Sequence, residues 1–238
     1  MYKGKKIFAF IPARGGSKRV PGKNMKLLNG EPLIWYTIKA VRESKYIDYY
    51  IVSTDDVSTW CYCSSLFFPI PTYNRSLKQC EDSYSTDDLR NDMYKQFSGF
   101  DYCITLHPTS PFRTAEDIDK GIEMIIDQDA DSLLSLREIT RDYWQSLYTL
   151  DGQVYYHRDR FRFLQSQDFH RKIYANAHFL TIWKWGKNSG KEIPYIIEHP
   201  KTIDIDTPED FEYAEFVMKK MEIDKILDGE VERHGGKL

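Results

Sequence analysis

Three short apolar runs in the first half of the chain have the pattern of strands that are buried on both faces. They lie at residues 7–11, 49–52 and 102–106, and none of them alternates between apolar and polar positions. Such continuous runs are typical of a parallel sheet that helices cover on both sides. We therefore predict that all three are strands of one sheet.

Amphipathic segments lie between and after these runs. Apolar residues recur at the helical period over residues 32–44, 86–97 and 114–126, and Thr114-Ala-Glu-Asp provides a capping signal for the third segment. Strands that alternate with helices need crossover connections. The predicted fold class is therefore α/β, with a Rossmann-like, mostly parallel sheet and helices on both of its faces.

The segment at about 140–185 differs from the rest of the chain. It is rich in Tyr, Trp, Phe and Arg, shows little helical period and contains a candidate strand at 178–183. We interpret it as a β-rich insertion, or flap, beside the main sheet. A helix that Thr207 caps follows later. We predict a single domain over residues 1–228, with this subdomain at 140–185 and a mobile polar tail at 229–238.

Composition excludes several classes of protein. Hydrophobic residues make up 41% of the 238, and 33 Lys and Arg against 36 Asp and Glu leave a net charge of −3. This balance excludes a disordered chain and a strongly basic nucleic-acid-binding protein. The apolar run at 7–13 is too short for a secretion signal, no segment approaches a membrane span, and the four cysteines form no metal-binding pattern. We expect a soluble, cytoplasmic protein with reduced cysteines.

A polar segment follows each predicted strand. These segments are Arg14-Gly-Gly-Ser-Lys, Ser53-Thr-Asp-Asp and His107-Pro-Thr-Ser-Pro. Ligands of open parallel sheets bind outside the carboxyl ends of the strands. We therefore expect the three segments to meet in one crevice.

The first of these segments has the composition of a polyphosphate site. Residues 14–26 contain three glycines, no carboxylate and five cations, which are Arg14, Lys18, Arg19, Lys23 and Lys26. Glycines and Ser17 allow backbone N–H groups to approach an anion closely. The spacing is neither that of a Walker A loop nor G-x-G-x-x-G. The alternative is a solvated basic loop, but the interleaving of glycines and cations directly after a buried strand favours the polyphosphate site.

Two aspartates late in the chain are candidate metal ligands. In an extended segment alternate residues share a face, so Asp204 and Asp206 point together while Ile203 and Ile205 point into the core. Adjacent carboxylates repel unless a cation lies between them, and Mg²⁺ suits such a pair when phosphates supply other ligands. The alternative is a helix cap or a surface ion pair. For Asp204 a cap or an ion pair is as plausible as metal binding, whereas for Asp206 metal binding is favoured.

For two further features, the Asp55-Asp56 pair and His107, we favour structural roles over catalytic ones. Asp55 and Asp56 are interpreted as the start of a helix, where carboxylates are favourable in the first turn. His107 should border the crevice, but no nearby residue completes a catalytic triad with it.

Taken together, these segments resemble the acylneuraminate cytidylyltransferases, the CMP-sialic acid synthetases. Residues 11–24, Ile-Pro-Ala-Arg-Gly-Gly-Ser-Lys-Arg-Val-Pro-Gly-Lys-Asn, closely match the nucleotide-binding signature of that family. Four further matches follow in the family's order, and they are Ser53-Thr-Asp-Asp, Arg75, Pro108-Thr-Ser-Pro-Phe-Arg113 and Asp204-Ile-Asp-Thr-Pro-Glu-Asp-Phe211. The resemblance spans residues 7 to about 215. It implies a fold like that of nucleotide-diphospho-sugar transferases, a dimerisation role for the insertion, and a homodimer.

The resemblance also implies roles for individual residues. The expected nucleotide contacts are Arg14, Ser17 and Lys23 at the triphosphate, Asn24 at the ribose, and Arg75 and Ser85 near the cytosine, with Gly15 as a further nucleotide contact. The expected sugar contacts are His107, Thr109, Ser110 and Arg171. Asp204 and Asp206 match the acidic pair for Mg²⁺, with Mn²⁺ as an alternative, and Arg14, Lys23 and Asp206 would be the catalytic residues.

The implied reaction joins CTP to a nonulosonic (sialic-type) acid. The anomeric hydroxyl of the sugar would attack the α-phosphorus of CTP, giving the CMP-sugar and pyrophosphate with no covalent protein intermediate. Departures from the family pattern lie on the sugar or base side. His107 replaces glutamine, Asn176-Ala-His178 replaces Asn-Gly-Ala, and Gln165-Ser-Gln-Asp168 replaces Arg-Arg-Gln-Asp. Nucleotide handling is therefore better supported than the identity of the acceptor.

Two other functions stay open. One is an enzyme of the same fold that joins another nucleoside triphosphate to a sugar phosphate. The arginines that could serve either acceptor are Arg141, Arg158, Arg160, Arg162 and Arg171. The other is a non-catalytic nucleotide-binding regulatory dimer, and retention of Arg14, Lys23, Asp204 and Asp206 speaks against it. A phosphatase relative is disfavoured, because such enzymes need an aspartate nucleophile in a D-x-D-G-type motif, and Thr-Pro follows Asp206 where that motif has glycine.

Overall fold

The computed structural model describes residues 1–138, 147–150, 153–156 and 174–234. In chain order the strands are β1 (Ile7–Pro12), β2 (Leu27–Leu28), β3 (Glu31–Pro32), β4 (Tyr49–Thr54), β5 (Thr72–Asn74), β6 (Tyr102–Thr105), β7 (Ser132–Glu138), β8 (Leu147–Leu150), β9 (Gln153–Tyr156), β10 (Tyr174–Lys184) and β11 (Glu192–Ile197). The helices are α1 (Leu33–Glu43), α2 (Val57–Ser65), α3 (Thr86–Gln96), α4 (Ala115–Asp127) and α5 (Pro208–His234), and 3₁₀ turns lie at Lys23–Met25 and Lys78–Cys80.

Seven strands form the central sheet, in the order β11-β7-β10-β6-β1-β4-β5. Strand β1 runs parallel to β4 and β6, β4 parallel to β5, and β7 parallel to β11. Strand β10 lies between β6 and β7 and is antiparallel to both of them. Six strands therefore point the same way, and their carboxyl ends share one edge of the sheet.

The sheet is buried on both faces, as the unbroken apolar runs predict. Ile7, Ala9 and Ile11 of β1 pack into a core that includes apolar residues of α1 and α4. Phe8 and Phe10 point to the opposite face, where they share a second cluster with residues of α3. The successive residues of one strand thus fill two cores, because side chains alternate across a strand. The predicted fold class and the three predicted central strands are confirmed.

The interpretation of residues 140–185 as an insertion beside the main sheet is wrong for its last part. Strand β10 is an internal strand of the main sheet, and its residues Phe179, Leu180 and Ile182 are fully buried in the core. Strands β8 and β9 pair with each other in a separate two-stranded ribbon. The other residues between 139 and 173 lie outside the described ranges, so a flap there stays a prediction.

The end of the chain also differs from the prediction. Helix α5 continues to His234, beyond the start of the predicted tail at residue 229. None of the helices within the described ranges combines the length and apolar character that crossing a membrane would require.

Candidate active site

The segments that follow β1 and β6 meet the segment before α5 around one cavity, as the sheet topology predicts. It has a volume of about 360 Å³. Its lining combines the cationic loop with carboxylates and with the end of β6, through Pro12, Arg14, Ser17, Lys18, Arg19, Lys23, Asn24, Asp82, His107, Pro108, Thr109 and Asp206. We call this space the loop cavity.

A second cavity of about 310 Å³ adjoins the loop cavity and shares four of its residues, Pro12, Arg14, Asp82 and His107. It brings in Arg75 and Ser85, which lie far apart from the loop in sequence. The Arg75 Nε donates to Ser53 Oγ at 3.1 Å, and burial lowers the pKa of this guanidinium. Ser85 caps α3 by accepting from the backbone N–H of Asp88 at 3.0 Å. We call this space the side cavity.

The loop after β1 is held in place by two side chains. Asp55 Oδ1 accepts a 2.8 Å hydrogen bond from the Gly15 N–H, and Asn24 Nδ2 donates to the Arg14 carbonyl at 3.1 Å. A Cβ on Gly15 would lie only 2.9 Å from the Cβ of Asp56. Glycine is therefore needed at this position for close packing, and its N–H is occupied by Asp55 rather than open to a phosphate.

Asp55 is the residue that sequence reasoning assigned wrongly at this edge. Only Asp56 acts as the predicted helix start, accepting from the backbone N–H groups of Ser58 and Thr59 at 3.3 and 2.9 Å. Burial alone would raise the pKa of Asp55, but hydrogen bonds led by that from Gly15 outweigh it and lower the pKa. Asp55 thus stays ionised and orders the loop.

Asp82 balances two cations of the loop. Its carboxylate accepts from Arg14 Nη2 at 2.8 Å and from Lys18 Nζ at 2.5 Å. These hydrogen bonds, that from Lys18 first, lower the pKa of Asp82. Sequence reasoning missed Asp82, because nothing in the local sequence around it signals a partner in the loop.

Asp206 balances the other two cations that line the cavity. Lys23 Nζ lies 3.2 Å from Asp206 Oδ1 and donates to the Ile205 carbonyl at 2.8 Å, and Arg19 lies 3.3 Å from Asp206 Oδ2. Lys26, the fifth cation of the loop, instead lies over the ring of Phe211 with its Nζ 4.4 Å from the ring centroid. Four of the five cations therefore face the loop cavity.

Asp204 and Asp206 alternate with buried isoleucines, as the sequence predicts. Asp204 Oδ1 is buried without a hydrogen-bond partner. Burial raises the pKa of Asp204 and the charge of Asp206 adds to this effect, while a hydrogen bond from Thr109 opposes it. A buried carboxylate oxygen without a partner beside a second carboxylate is a suitable donor set for a hard divalent cation. Within the described ranges no group of three or more His, Cys, Asp or Glu could hold a metal, so such an ion would also need ligand phosphates.

His107 lies where the two cavities meet. Burial lowers its pKa to about 3, and the nearby charges of His178 and of Arg113 contribute. The imidazole is therefore neutral at physiological pH. The ring of His178 stands nearly perpendicular to it, with the centroids 6.0 Å apart. His178 itself has a φ of 51°, in the left-handed region, at the irregularity in β10.

Arg113 supports His107 from beneath. Its guanidinium is buried and donates to the His107 carbonyl and to Thr37 Oγ1, both at 2.7 Å, and also to the Phe179 carbonyl. It thereby joins the end of β6 to α1 and β10. The sequence singled out Arg113 within a motif but assigned it no role.

The structure brings together most of the predicted site residues. Those that line the two cavities are Arg14, Ser17, Lys23, Asn24, Arg75, Ser85, His107, Thr109 and Asp206. Ser110 is buried and lines neither cavity, so its predicted sugar contact does not fit this geometry. Arg171 lies outside the described residues.

Comparison with known proteins identifies a family that this chain matches. The family model described as Cytidylyltransferase matches residues 8–228. A CMP-N,N'-diacetyllegionaminic acid synthase of Legionella pneumophila is 37% identical over 123 residues, which are 50% of this chain and 53% of that protein. The match thus spans about half the length of that relative. A pseudaminic acid cytidylyltransferase of Campylobacter jejuni is 27% identical over 90% of this chain and 97% of its own length.

The fold has a solved counterpart as well. The structure of a CMP:2-keto-3-deoxy-manno-octonic acid synthetase complexed with CTP superposes with a TM-score of 0.66 at 15% identity, over 91% of this chain and 100% of that one. This likeness shows the fold. Because the family model spans nearly the whole chain, from β1 into α5, the chain belongs to the cytidylyltransferase family.

Proposed function

We propose that this protein is a cytidylyltransferase that activates a nonulosonic acid with CTP and releases pyrophosphate. The observation that carries the proposal is the loop cavity, where four cations and a glycine-rich loop face Asp206 at the carboxyl edge of the sheet. The names of the Legionella and Campylobacter relatives, which act on legionaminic and pseudaminic acids, support the acceptor class.

The loop supplies the positive charge that a triphosphate needs. Without nucleotide, the charges of Arg14 and Lys18 are balanced by Asp82, and those of Lys23 and Arg19 by Asp206. The triphosphate would replace these carboxylates as the partner of the cations. Preorganised cations are the main protein contribution to transfers of this kind.

The reaction needs no protein nucleophile. The anomeric oxygen forms a bond to the α-phosphorus while the bond from that phosphorus to the bridging oxygen of the β-phosphate breaks. Pyrophosphate leaves with the electron pair, and the hydroxyl proton is released to solvent. Arg14 and Lys23 lie on the lining of the loop cavity, where they would offset the charge that grows on the leaving group.

Asp204 and Asp206 are the residues that would hold a divalent cation, Mg²⁺ or Mn²⁺. The unpartnered Oδ1 of Asp204 and its closeness to a second carboxylate support this assignment. When bound, the ion would polarise the phosphate and neutralise part of its charge.

The test is pyrophosphate release with Mg²⁺, using each of four nucleoside triphosphates with a panel of nonulosonic acids and hexose 1-phosphates. Release only with CTP and a nonulosonic acid is the expected result. Release with another nucleotide and a sugar phosphate would favour the alternative transferase. CTP binding without release from any acceptor would favour a regulatory dimer.

A pair of lysine variants ties the activity to the loop cavity. Lys23→Met removes a cation that is 14% exposed and faces the cavity, so we expect kcat/KM to fall about 10- to 100-fold, as for loss of a hydrogen bond to a charged group. Lys26→Met makes the same change at a lysine that lies over Phe211, so we expect less than a twofold effect. Equal losses in both variants would contradict the assignment.

We also propose a cytoplasmic homodimer. The four cysteines are free thiols, of which Cys63 and Cys103 are buried, and this state suits a reducing compartment. Sedimentation equilibrium tests the dimer, and a monomer at micromolar concentration with full activity would contradict it.

A further inference from the structure

We propose that Asp82 competes with the phosphates of the nucleotide for the cations of the loop, and thereby lowers the affinity of the loop cavity for CTP and for pyrophosphate. This role rests on the proposed function, because it concerns the same cavity, and it adds a residue that limits how tightly a polyphosphate is held. Asp82 lies in the segment 76–84, which links Arg75 to Ser85. We call these residues the bridging segment.

The carboxylate of Asp82 already engages two of the cations that phosphate groups would bind. Asp82 lines both the loop cavity and the side cavity, and it accepts from Arg14 Nη2 at 2.8 Å and from Lys18 Nζ at 2.5 Å. Arg14 Nη1 also donates to the Cys80 carbonyl at 3.0 Å. Both terminal nitrogens of the Arg14 guanidinium therefore contact the bridging segment, and a phosphate that binds them must displace these contacts.

The bridging segment is anchored from below, so Asp82 is held beside the loop. Gln79 is only 7% exposed, and its Oε1 accepts from the Ser76 N–H at 2.9 Å. Its Nε2 donates to Asp92 Oδ2 on α3 at 2.7 Å and to the Tyr73 hydroxyl on β5 at 3.2 Å. The partners of Asp82 are instead the long side chains of the loop cations. Nucleotide binding therefore moves the cations and leaves the carboxylate in place.

Asp82 differs in its surroundings from Asp206, the other carboxylate that pairs with loop cations. Asp206 lies beside a second carboxylate, and the divalent cation of the proposed function would offset its charge there. The ion-pair partners of Asp82 are Arg14 and Lys18 themselves. Hydrogen bonds from Lys18 and Arg14 lower the pKa of Asp82, and an aspartate without such partners is also ionised at neutral pH. When phosphates take the two cations, a negative charge therefore remains beside them.

The remaining charge of Asp82 acts on substrate and product alike. Pyrophosphate and the triphosphate offer the same kind of group to the same cations, so a carboxylate that weakens the binding of one also weakens the binding of the other. Interactions that the substrate and the transition state share lower KM without raising kcat. Asp82 thus has little effect on the chemical step, while it favours the release of pyrophosphate.

Calorimetry without acceptor tests this role. The ligands are CTP, pyrophosphate and CMP, each with excess Mg²⁺. Asp82→Asn keeps the size of the side chain and an oxygen that accepts from Arg14, but it removes the negative charge. We expect the Kd values of CTP and pyrophosphate to fall about 5- to 20-fold, the effect of two partly exposed ion pairs. The Kd of CMP, which lacks the β- and γ-phosphates, should stay within about twofold of wild type.

Asp127→Asn is the matched control. It removes the same charge from an exposed aspartate that pairs with Lys3 at 2.8 Å. Asp127 is the last residue of α4 and Lys3 precedes β1, so this pair lies at the edge of the sheet opposite the loop cavity. We expect all three Kd values within about twofold of wild type. Asp82→Glu keeps the charge, so its Kd values should lie closer to wild type than those of Asp82→Asn.

Three results would overturn the role of Asp82 alone, given a wild type that binds CTP. Weaker binding of CTP by Asp82→Asn would show that Asp82 helps to hold the nucleotide. Kd values of CTP and pyrophosphate within twofold of wild type would show no competition. An equal gain for CMP, or the same gain in Asp127→Asn, would show a general effect of net charge. A wild type that binds neither CTP nor pyrophosphate would refute the proposed function and this role with it.

Discussion

Removal of the Arg113 guanidinium is the most severe single test of how this site is supported. In Arg113→Met three buried groups lose a donor, namely the carbonyls of His107 and Phe179 and the hydroxyl of Thr37. The three lie on β6, β10 and α1 or directly beside them. The variant therefore removes the hydrogen bonds that link these three elements.

The size of the effect follows from this count. A hydrogen bond to a charged group contributes about 1.5–3 kcal/mol, and Arg113 makes three of them. Without Arg113, the His107 carbonyl keeps only the Thr37 hydroxyl at 3.4 Å and the Ser110 N–H at 3.5 Å as donors. Water that enters the vacated space offsets part of the sum, so we expect the free energy of unfolding to fall by about 3–5 kcal/mol. For a chain of this size each kcal/mol lowers Tm by about 2–4 °C, which predicts a fall of roughly 6–20 °C.

The assay is urea unfolding, followed by tryptophan fluorescence and far-UV circular dichroism, with Thr37→Val as the graded comparison. Valine keeps the shape of Thr37 and removes one of the three acceptors, so a loss of about 1 kcal/mol is expected. In the double variant Arg113→Met/Thr37→Val the two losses of unfolding free energy should not add, because Arg113→Met alone already removes the hydrogen bond from Arg113 to the Thr37 hydroxyl. An Arg113→Met protein within about 1 kcal/mol of wild type, or fully additive losses, would refute the reasoning.

Three further predictions concern the edge of the sheet. Asp204→Asn should abolish turnover and raise Tm by a few degrees at neutral pH. Burial raises the pKa of Asp204, so the charged carboxylate destabilises the fold above that pKa. The increase in Tm should vanish at acid pH, where the wild-type carboxyl is protonated. Asp55→Ala should raise the KM for CTP about 3- to 10-fold, because the loop loses the hydrogen bond from the Gly15 N–H that holds it in place. Asp56→Ala should instead lower the free energy of unfolding by about 0.5–2 kcal/mol through loss of a helix cap. The reverse pattern would contradict both roles. Gly15→Ala should weaken CTP binding about 10-fold in calorimetry, because its Cβ would meet Asp56 at 2.9 Å and displace the loop; unchanged binding would contradict the close packing.

The phosphate loop was predictable because its signals are contiguous. Glycines, cations and the preceding buried strand fall within residues 7–26, so local sequence carries the whole pattern. Asp55 and Asp82 have no such signal. They meet the loop across separations of 40 and 68 residues, through the parallel order of the strands. Only the folded chain shows that carboxylates balance the loop.

Strand β10 was misplaced for a different reason. Its aromatic and polar composition, and the irregular stretch before it, suggested a flap beside the sheet. Its burial comes from tertiary packing, since Phe179, Leu180 and Ile182 close the core against the residues of α4. Sequence analysis could not identify Arg90 and Trp183 either, because a lone arginine and a lone tryptophan carry no motif. Only the folded chain shows that the Nε of Arg90 and the Nε1 of Trp183 are buried without a hydrogen-bond partner.

The place of β10 in the sheet also sets the order in which the chain can assemble during synthesis. Strands β6, β1, β4 and β5 are neighbours, and all of them have been made by residue 105. Among the residues that the structure describes, the other side of β6 pairs with residues 181–184 of β10. At a translation rate of about 5–20 residues per second, that open edge waits roughly 4–16 s for its partner. During this interval the nascent chain presents a ready template for pairing with another chain, so slow translation or a stalled ribosome between these strands should favour aggregation.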